Sequence, residues 1–305
     1  MIYTLTLNPA LDHVVRLKDL KLGETNRMDQ EKLSAGGKGI NVSKLLKNLG
    51  ERSIAFAFVA GFTGQELERI LRDKEGILCD FVHVSKGFTR INVKIKAEEE
   101  TEINGPGLSP SDEEISLMLR KFEDLKDGDY LFLSGSIPSS LDKSFYRQIM
   151  EKVKGKDVKI AVDTLGEALK ETLDLGPYLI KPNKRELEDF FQVEINNNQE
   201  IIEYASKLQE LGAQNIIVSL GADGAYFLSK EGESIFMDAP KGQVVDTVGA
   251  GDSVVAGFMY AIKNGFTLRD AFAFGVACGS ATAFSSNLAT KEEIFNLYNN
   301  YRGRK

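Results

Sequence analysis

Two cysteines, two histidines and seven prolines in 305 residues leave little room for several kinds of chemistry. Cys79 and Cys278 lie far apart in the sequence, so each is expected as a buried free thiol rather than half of a disulfide. His13 and His83 are too few and too scattered for a zinc site. No apolar run reaches the roughly 18 residues that a spanning helix needs. The first residues, Met1-Ile2-Tyr3-Thr4-Leu5-Thr6-Leu7, lack the basic start and small-residue cleavage site of a signal peptide, which makes the cytoplasm the expected compartment. Positive charge is also short. Lys and Arg total 38 against 45 Asp and Glu, a net charge of −7. That argues against nucleic acid or an anionic membrane as partner.

Three motifs are missing too. Gly135-Ser136 and Gly279-Ser280 lack the Gly-x-Ser-x-Gly frame of a serine hydrolase. Gly36-Gly37-Lys38-Gly39 is not a Walker A loop, which needs four residues between its first glycine and Gly-Lys, then Ser or Thr. Nor does it carry the second spaced glycine of a dinucleotide fingerprint, which counts against a nucleotide-cofactor oxidoreductase.

What remains is an ordinary globular composition, 42% hydrophobic and 27% charged, enough for one large α/β domain or two smaller ones. The informative stretch is Val245-Asp246-Thr247-Val248-Gly249-Ala250-Gly251-Asp252-Ser253. A strand-like run over residues 242–245 leads into it. An amphipathic helix leads out, with Val254, Val255, Phe258, Met259 and Ile262 on one face. A small-residue turn at a helix N-terminus offers backbone N–H groups and a positive dipole end to an anion. Asp252 would repel a phosphate there unless it does chemistry. It reads either as a general base beside an anion hole or as a helix-start carboxylate.

From residue 111 onward the pattern is regular. Helical stretches near 111–124, 142–153, 166–173, 184–191 and 199–211 alternate with apolar strands at 130–133, 158–162, 178–180, 216–218 and 225–228. Such alternation implies a largely parallel sheet with helices on both faces. Residues 53–60 form a continuous apolar run, as for a strand buried on both faces. Polar residues gather where strands stop: Asn8 and Asp12, Ser134 to Ser136, Asp163, Lys181 to Asn183, Ser219 to Gly221. In an open parallel sheet the ligand crevice lies at those carboxyl ends. Residues 89–96 change character. Ile91, Val93 and Ile95 alternate with Asn92, Lys94 and Lys96, which predicts a strand with one wet face. With residues 14–32 and 101–103 it suggests a small sheet apart from the main core.

Some residues in these segments admit two readings. Lys38 can place a point charge on a phosphate, with Asn41 aimed the same way, or the turn can simply start a helix. Arg90 and Asn92 share the polar face of the small sheet, as phosphate ligands or as a solvated surface. Asn183 and Glu186 suit a Mg²⁺ held through water, a capping box, or both.

Taken together, Ala35-Gly36-Gly37-Lys38-Gly39-Ile40-Asn41, Asp246 to Asp252 and Thr6-Leu7-Asn8-Pro9-Ala10-Leu11-Asp12 resemble the ribokinase-like, or PfkB, family of sugar kinases. The resemblance spans the whole chain. The last motif looks like the family's hexose-phosphate branch. Thr89-Arg90-Ile91-Asn92-Val93-Lys94 and Glu102-Ile103-Asn104-Gly105 are similar to the lid of the fructose-1-phosphate kinases within it. Val248 stands where ribokinases often have threonine, and Lys38 where the family's fructose-6-phosphate kinases usually have glycine.

The resemblance implies a ribokinase-like α/β fold: a mostly parallel central sheet flanked by helices on both faces, plus a small β-sheet lid. The main domain would comprise residues 1–11, 33–87 and 107–305, and the lid residues 12–32 and 88–106. It implies ATP and Mg²⁺ as cofactors, a small sugar phosphate as partner, and a homodimer formed through the lid. By position, Asp252 is the base and Gly249, Ala250 and Gly251 the anion hole. Asn183 and Glu186 hold Mg²⁺ indirectly. Asp12, Gly37, Lys38, Asn41, Arg90, Asn92 and Arg27 take the sugar phosphate. Lys181, Asn183, Ser219, Gly221, Gly224, Val248, Gly249, Gly251 and Ser280 line the nucleotide. The implied reaction is ATP-dependent phosphorylation of fructose 1-phosphate at its C6 hydroxyl. Kinases for tagatose 6-phosphate or fructose 6-phosphate are the family alternatives, and a non-catalytic sugar-phosphate sensor is the alternative of a different class.

Overall fold

The computed structural model describes residues 1–302. Its strands are β1 (Ile2–Thr6), β2 (Ala10–Arg16), β3 (Gln30–Gly36), β4 (Ile54–Val59), β5 (Leu78–Cys79), β6 (Val82–His83), β7 (Arg90–Lys96), β8 (Glu100–Ile103), β9 (Tyr130–Ser134), β10 (Lys159–Asp163), β11 (Leu179–Ile180), β12 (Asn215–Ser219), β13 (Ala225–Leu228) and β14 (Ser234–Met237). The central sheet runs β14-β13-β12-β11-β10-β9-β1-β4-β5, with β6 also on β4. It is parallel from β12 to β5, and β13 and β14 close one edge antiparallel. The strand expected at 225–228 therefore forms, but it runs against its neighbours.

Side-chain alternation divides the core into two layers. On β9, Leu131 and Leu133 face one cluster while Tyr130 and Phe132 face the other. The first layer takes the helices Asp112–Arg120, Phe145–Lys152, Gly166–Leu173, Lys184–Phe191 and Asn198–Glu210. The second takes Lys38–Asn48, Ala250–Lys263, Leu268–Ala283 and Lys291–Arg302. None of the described helices is long and apolar enough to cross a membrane. Cys79 and Cys278 are buried free thiols, as expected.

A second sheet of four strands, ordered β3-β2-β7-β8, stands apart from the first. Asp12 aligns with Asn92 and Val14 with Lys94 along β2 and β7. The polar side of β7, expected to be wet, instead turns inward. Asn92 is 8% exposed, whereas Ile91, Leu33 and Ile103 on the apolar side are 37%, 46% and 59% exposed.

Residues 242–245 are a second departure from expectation, because they form no strand. A Cβ on Gly242 would lie 2.4 Å from the Phe284 ring, and the N–H groups of Val245 and Asp246 both donate to the Ala283 carbonyl. The segment docks on the end of a helix, leaving Val244 and Val245 largely exposed.

The last two long helices fix that neighbourhood. Ala250–Lys263 and Leu268–Ala283 approach closely through small residues. A Cβ on Gly279 would fall 2.5 Å from Val254 Cγ2 and 3.1 Å from the Ala250 carbonyl oxygen. Gly279→Val should therefore destabilise the fold by about 1–3 kcal/mol, the usual penalty for overpacking. A denaturant midpoint equal to that of the unchanged protein would show that the helices part without cost.

Candidate active site

The carboxyl ends of β1, β9, β10 and β12 open into a cleft of about 1990 Å³ that the small sheet overhangs. Every site residue named from the sequence lines it except Arg27. Arg27 sits in the irregular, exposed stretch between β2 and β3.

Two glycine turns bring helix starts against strand ends. At the first, Gly37 has φ 132° and caps the helix Lys38–Asn48. A Cβ on Gly39 would lie 2.5 Å from the Leu5 carbonyl oxygen, so this helix is pressed against the end of β1. At the second, Gly249 takes φ 79° and begins the helix Ala250–Lys263. The φ values suit glycine, since other residues are strained there.

The two helix starts meet through one bond. Asn41 Nδ2 donates to Asp252 Oδ2 at 2.8 Å, across 211 residues of chain. Asp252 is 7% exposed. Burial, followed by the negative charge of Asp163, pushes its carboxyl up to about 6, against the opposing pull of Lys38, Asn41 and Lys181. Asp163, at the end of β10, has the opposite fate. Burial would raise it, but Lys181 and then Lys38 outweigh burial and hold it below the ordinary carboxylate range. Lys38 Nζ lies 3.3 Å from one Asp163 oxygen and Lys181 Nζ 3.6 Å from the other. Burial would lower the Lys38 ammonium, yet Asp163, Asp252 and Glu186 together raise it. Lys38 is thus a charged group beside Asp252, fixed by Asp163.

The small sheet supplies a second polar cluster. Asn92 Nδ2 donates to Asp12 Oδ1 at 3.0 Å, and the other Asp12 oxygen lies 3.6 Å from Lys94 Nζ. Lys94 also approaches Glu102 at 3.7 Å. Arg90 donates to the carbonyls of Asn8 and Gly105, while its buried Nε has no partner. Burial lowers the Arg90 guanidinium.

On the opposite wall, Asn183 and Glu186 form the capping box. Each backbone N–H donates to the other's side-chain oxygen at 2.8 Å. The box engages Oε2 of Glu186 and leaves Oε1 outside it. No group of three or more His, Cys, Asp or Glu among the described residues could hold an ion directly. Two oxygen-bearing side chains on the wall fit a hard divalent cation that keeps its waters.

Residues 5–294 match the pfkB family of carbohydrate kinases. The chain belongs to the PfkB family. A 1-phosphofructokinase of Bacillus subtilis is 46% identical over 97% of each chain. A D-tagatose-1-phosphate kinase of Bacillus licheniformis is 36% identical over 96% of each. Among solved structures, Escherichia coli phosphofructokinase-2 in complex with fructose-6-phosphate superposes with a TM-score of 0.91, at 28% identity over 99% of both chains. The mostly parallel sheet with helices on both faces, and its separate small sheet, is the ribokinase-like architecture of PfkB kinases, which use ATP.

Within this PfkB chain, sequence reasoning passed over two cleft residues. Asp163 was legible only as a polar residue at a strand end. Its partners Lys38 and Lys181 arrive from two other strand ends, so spacing carried no sign of the bridge. Lys94 read as the continuation of a solvated face, yet its side chain is only 13% exposed.

The raised Asp252 has a consequence for stability. The native carboxyl binds its proton more tightly than the unfolded one, so Asp252 costs stability progressively as pH rises from about 3.8 to about 6 and fully above that. Asp252→Asn should raise the thermal midpoint at pH 7 and give little gain at pH 4. An equal gain at both pH values would mean that the charge of Asp252 is not what costs stability.

Proposed function

We propose that this PfkB kinase transfers the γ-phosphoryl group of ATP to the C6 hydroxyl of fructose 1-phosphate, yielding fructose 1,6-bisphosphate and ADP. The observation that carries the reading is the buried Asp252, held by Asn41 in the first turn of a helix beside the Gly249-Ala250-Gly251 turn. A carboxylate so placed has a use where it accepts a proton from an attacking hydroxyl.

The C6 oxygen attacks phosphorus as its proton passes to Asp252, and the bond from phosphorus to the ADP oxygen breaks. Backbone N–H groups of Gly249 and Gly251 face the charge on the transferring group, while that of Ala250 donates to the Thr247 carbonyl at 3.2 Å and holds the turn, and Lys38 adds a positive charge beside it. Mg²⁺, bound through water by Asn183 and Glu186, would neutralise the nucleotide phosphates. Lys181, Ser219, Gly221, Gly224, Val248 and Ser280 line the nucleotide in this reading. The small sheet acts as a lid. Asp12, Asn92 and Gly37 orient the sugar. Arg90 and Lys94 hold the phosphate on C1, and Arg27 does not line the cleft of its own chain. The exposed apolar face with Leu33, Ile91 and Ile103 suits a second copy of the chain, giving a homodimer through the lid.

The similarity to a D-tagatose-1-phosphate kinase supports a second substrate reading. Tagatose 1-phosphate keeps its phosphate and acceptor at the same ends and differs at C4. Tagatose 6-phosphate and fructose 6-phosphate would have to bind end for end. Specificity constants for all four sugars, measured side by side, should rank fructose 1-phosphate first. A higher value for tagatose 1-phosphate would move the assignment to that sugar, and a higher value for either 6-phosphate would reverse the binding direction.

Asp252→Asn should bind sugar phosphate nearly as the unchanged protein does while kcat falls by roughly 10²–10⁴, the range for general-base catalysis. In the unchanged protein kcat/KM should rise with pH and level off above about 6, because the base must be unprotonated. Near-normal turnover in the variant would reduce Asp252 to a helix-start residue. Absence of ATP turnover in the unchanged protein with any of the four sugars would favour a non-catalytic sugar-phosphate sensor.

A further inference from the structure

Strand β7 turns four polar side chains, Arg90, Asn92, Lys94 and Lys96, toward the cleft side of the small sheet. Asn92 and Lys94 meet Asp12. Lys96 does not. Its ammonium reaches across to the main body and lies 3.2 Å from Asp246 Oδ2. The other oxygen of that carboxylate, Oδ1, accepts the Val248 N–H at 3.0 Å. Asp246 thus gives one oxygen to the small sheet and one to the backbone just before Gly249. Its own N–H is tied to the Ala283 carbonyl at 3.2 Å.

A second bridge ends nearby. Lys32, on β3, donates to Asn287 Oδ1 at 2.7 Å. Asn287 adjoins Leu288, whose Cδ2 would be 2.6 Å from a Cβ on Gly249. Strands β3 and β7 flank β2, so the two lysines span the sheet. The first bridge finishes on a residue of one glycine turn, and the second on the neighbour of a residue packed against it.

We propose that Lys96 and Asp246 form a latch that couples the position of the small sheet to the geometry of the turn at residues 248–251, which makes Lys96 a positioning residue for phosphoryl transfer. With the sheet down, the ammonium holds Asp246, and Asp246 holds the Val248 amide. With the sheet lifted, Lys96 retains a partner in Glu100, 3.8 Å away on β8, and Asp246 loses its own. Both groups are about 30% exposed, and such pairs are too weak to decide folding. They are strong enough to bias one segment between two positions. The lid then does more than cover the sugar: its arrival sets the amides that meet the transferring group. This rests on the reading of residues 249–251 as the anion hole.

The test uses Lys96→Met, Asp246→Asn and the double variant in the full-length protein. Asn at 246 keeps an oxygen for the Val248 N–H and removes only the charge. Each single change should lower kcat about tenfold, within the range typical of coupling between sites. The double variant should be no worse than the poorer single one, KM for ATP should hardly move, and Lys96→Arg should recover most of the loss. Hydrogen exchange provides a readout that needs no turnover: Lys96→Met should speed exchange at residues 247–251, although Lys96 lies on the other sheet. Undiminished kcat in Lys96→Met, losses that multiply in the double variant, or unchanged exchange at the turn would each overturn the latch. Should the unchanged protein phosphorylate no sugar phosphate, the functional reading falls, and exchange alone decides whether the latch exists.

Discussion

Two carboxylates at the floor of the cleft are set against each other, and the site depends on that opposition. Asp163 is buried, yet Lys181 and Lys38 keep it ionised. Its charge then bears on Asp252, which burial has already made reluctant to ionise. Lys38 and Lys181 offset the charge of Asp163 and, once its proton has left, that of Asp252, so the floor stays close to neutral when the base is ready to act. Replacing either lysine would change two carboxylates at once, because both lysines act on Asp163 and on Asp252. The Asn41–Asp252 bond then orients the acid that remains.

Much of this was legible in the chain. Glycines that appear where a strand ends and a helix starts have few explanations, and both turns proved to be close approaches. Gly39 stands against the Leu5 carbonyl and Gly249 against Leu288. The alternation of strands and helices after residue 111 gave the parallel layer correctly, because each strand is buried on both faces and reads as a solid apolar run. The capping box of Asn183 and Glu186 was also visible, since its spacing is local.

What was hidden was non-local or two-sided. The direction of β13 depends on its turn with β12 and not on its own residues. Residues 242–245 carry strand-like side chains, but their amides find a helix end instead of a neighbouring strand. An alternating strand shows that its faces differ and not which face points inward. On β7 the usual inference, polar outward, is reversed, because a cleft is as wet as the surface and an apolar face can await a partner.

The chain order of the cleft has a consequence in time. β1 is made first but lies mid-sheet, between β4 and β9, so its second neighbour is absent until Ser134 has been made. Asn41 and its partner Asp252 are separated by 211 residues. At about 5–20 residues per second, a ribosome takes roughly 10–40 s to cross that distance. Once residue 103 has been made, the nascent protein holds the first glycine turn and both halves of the small sheet, but not the acid they surround. A sugar phosphate that met the growing chain would find its binding groups before any means of reaction existed, so catalytic competence arrives late and in a single step.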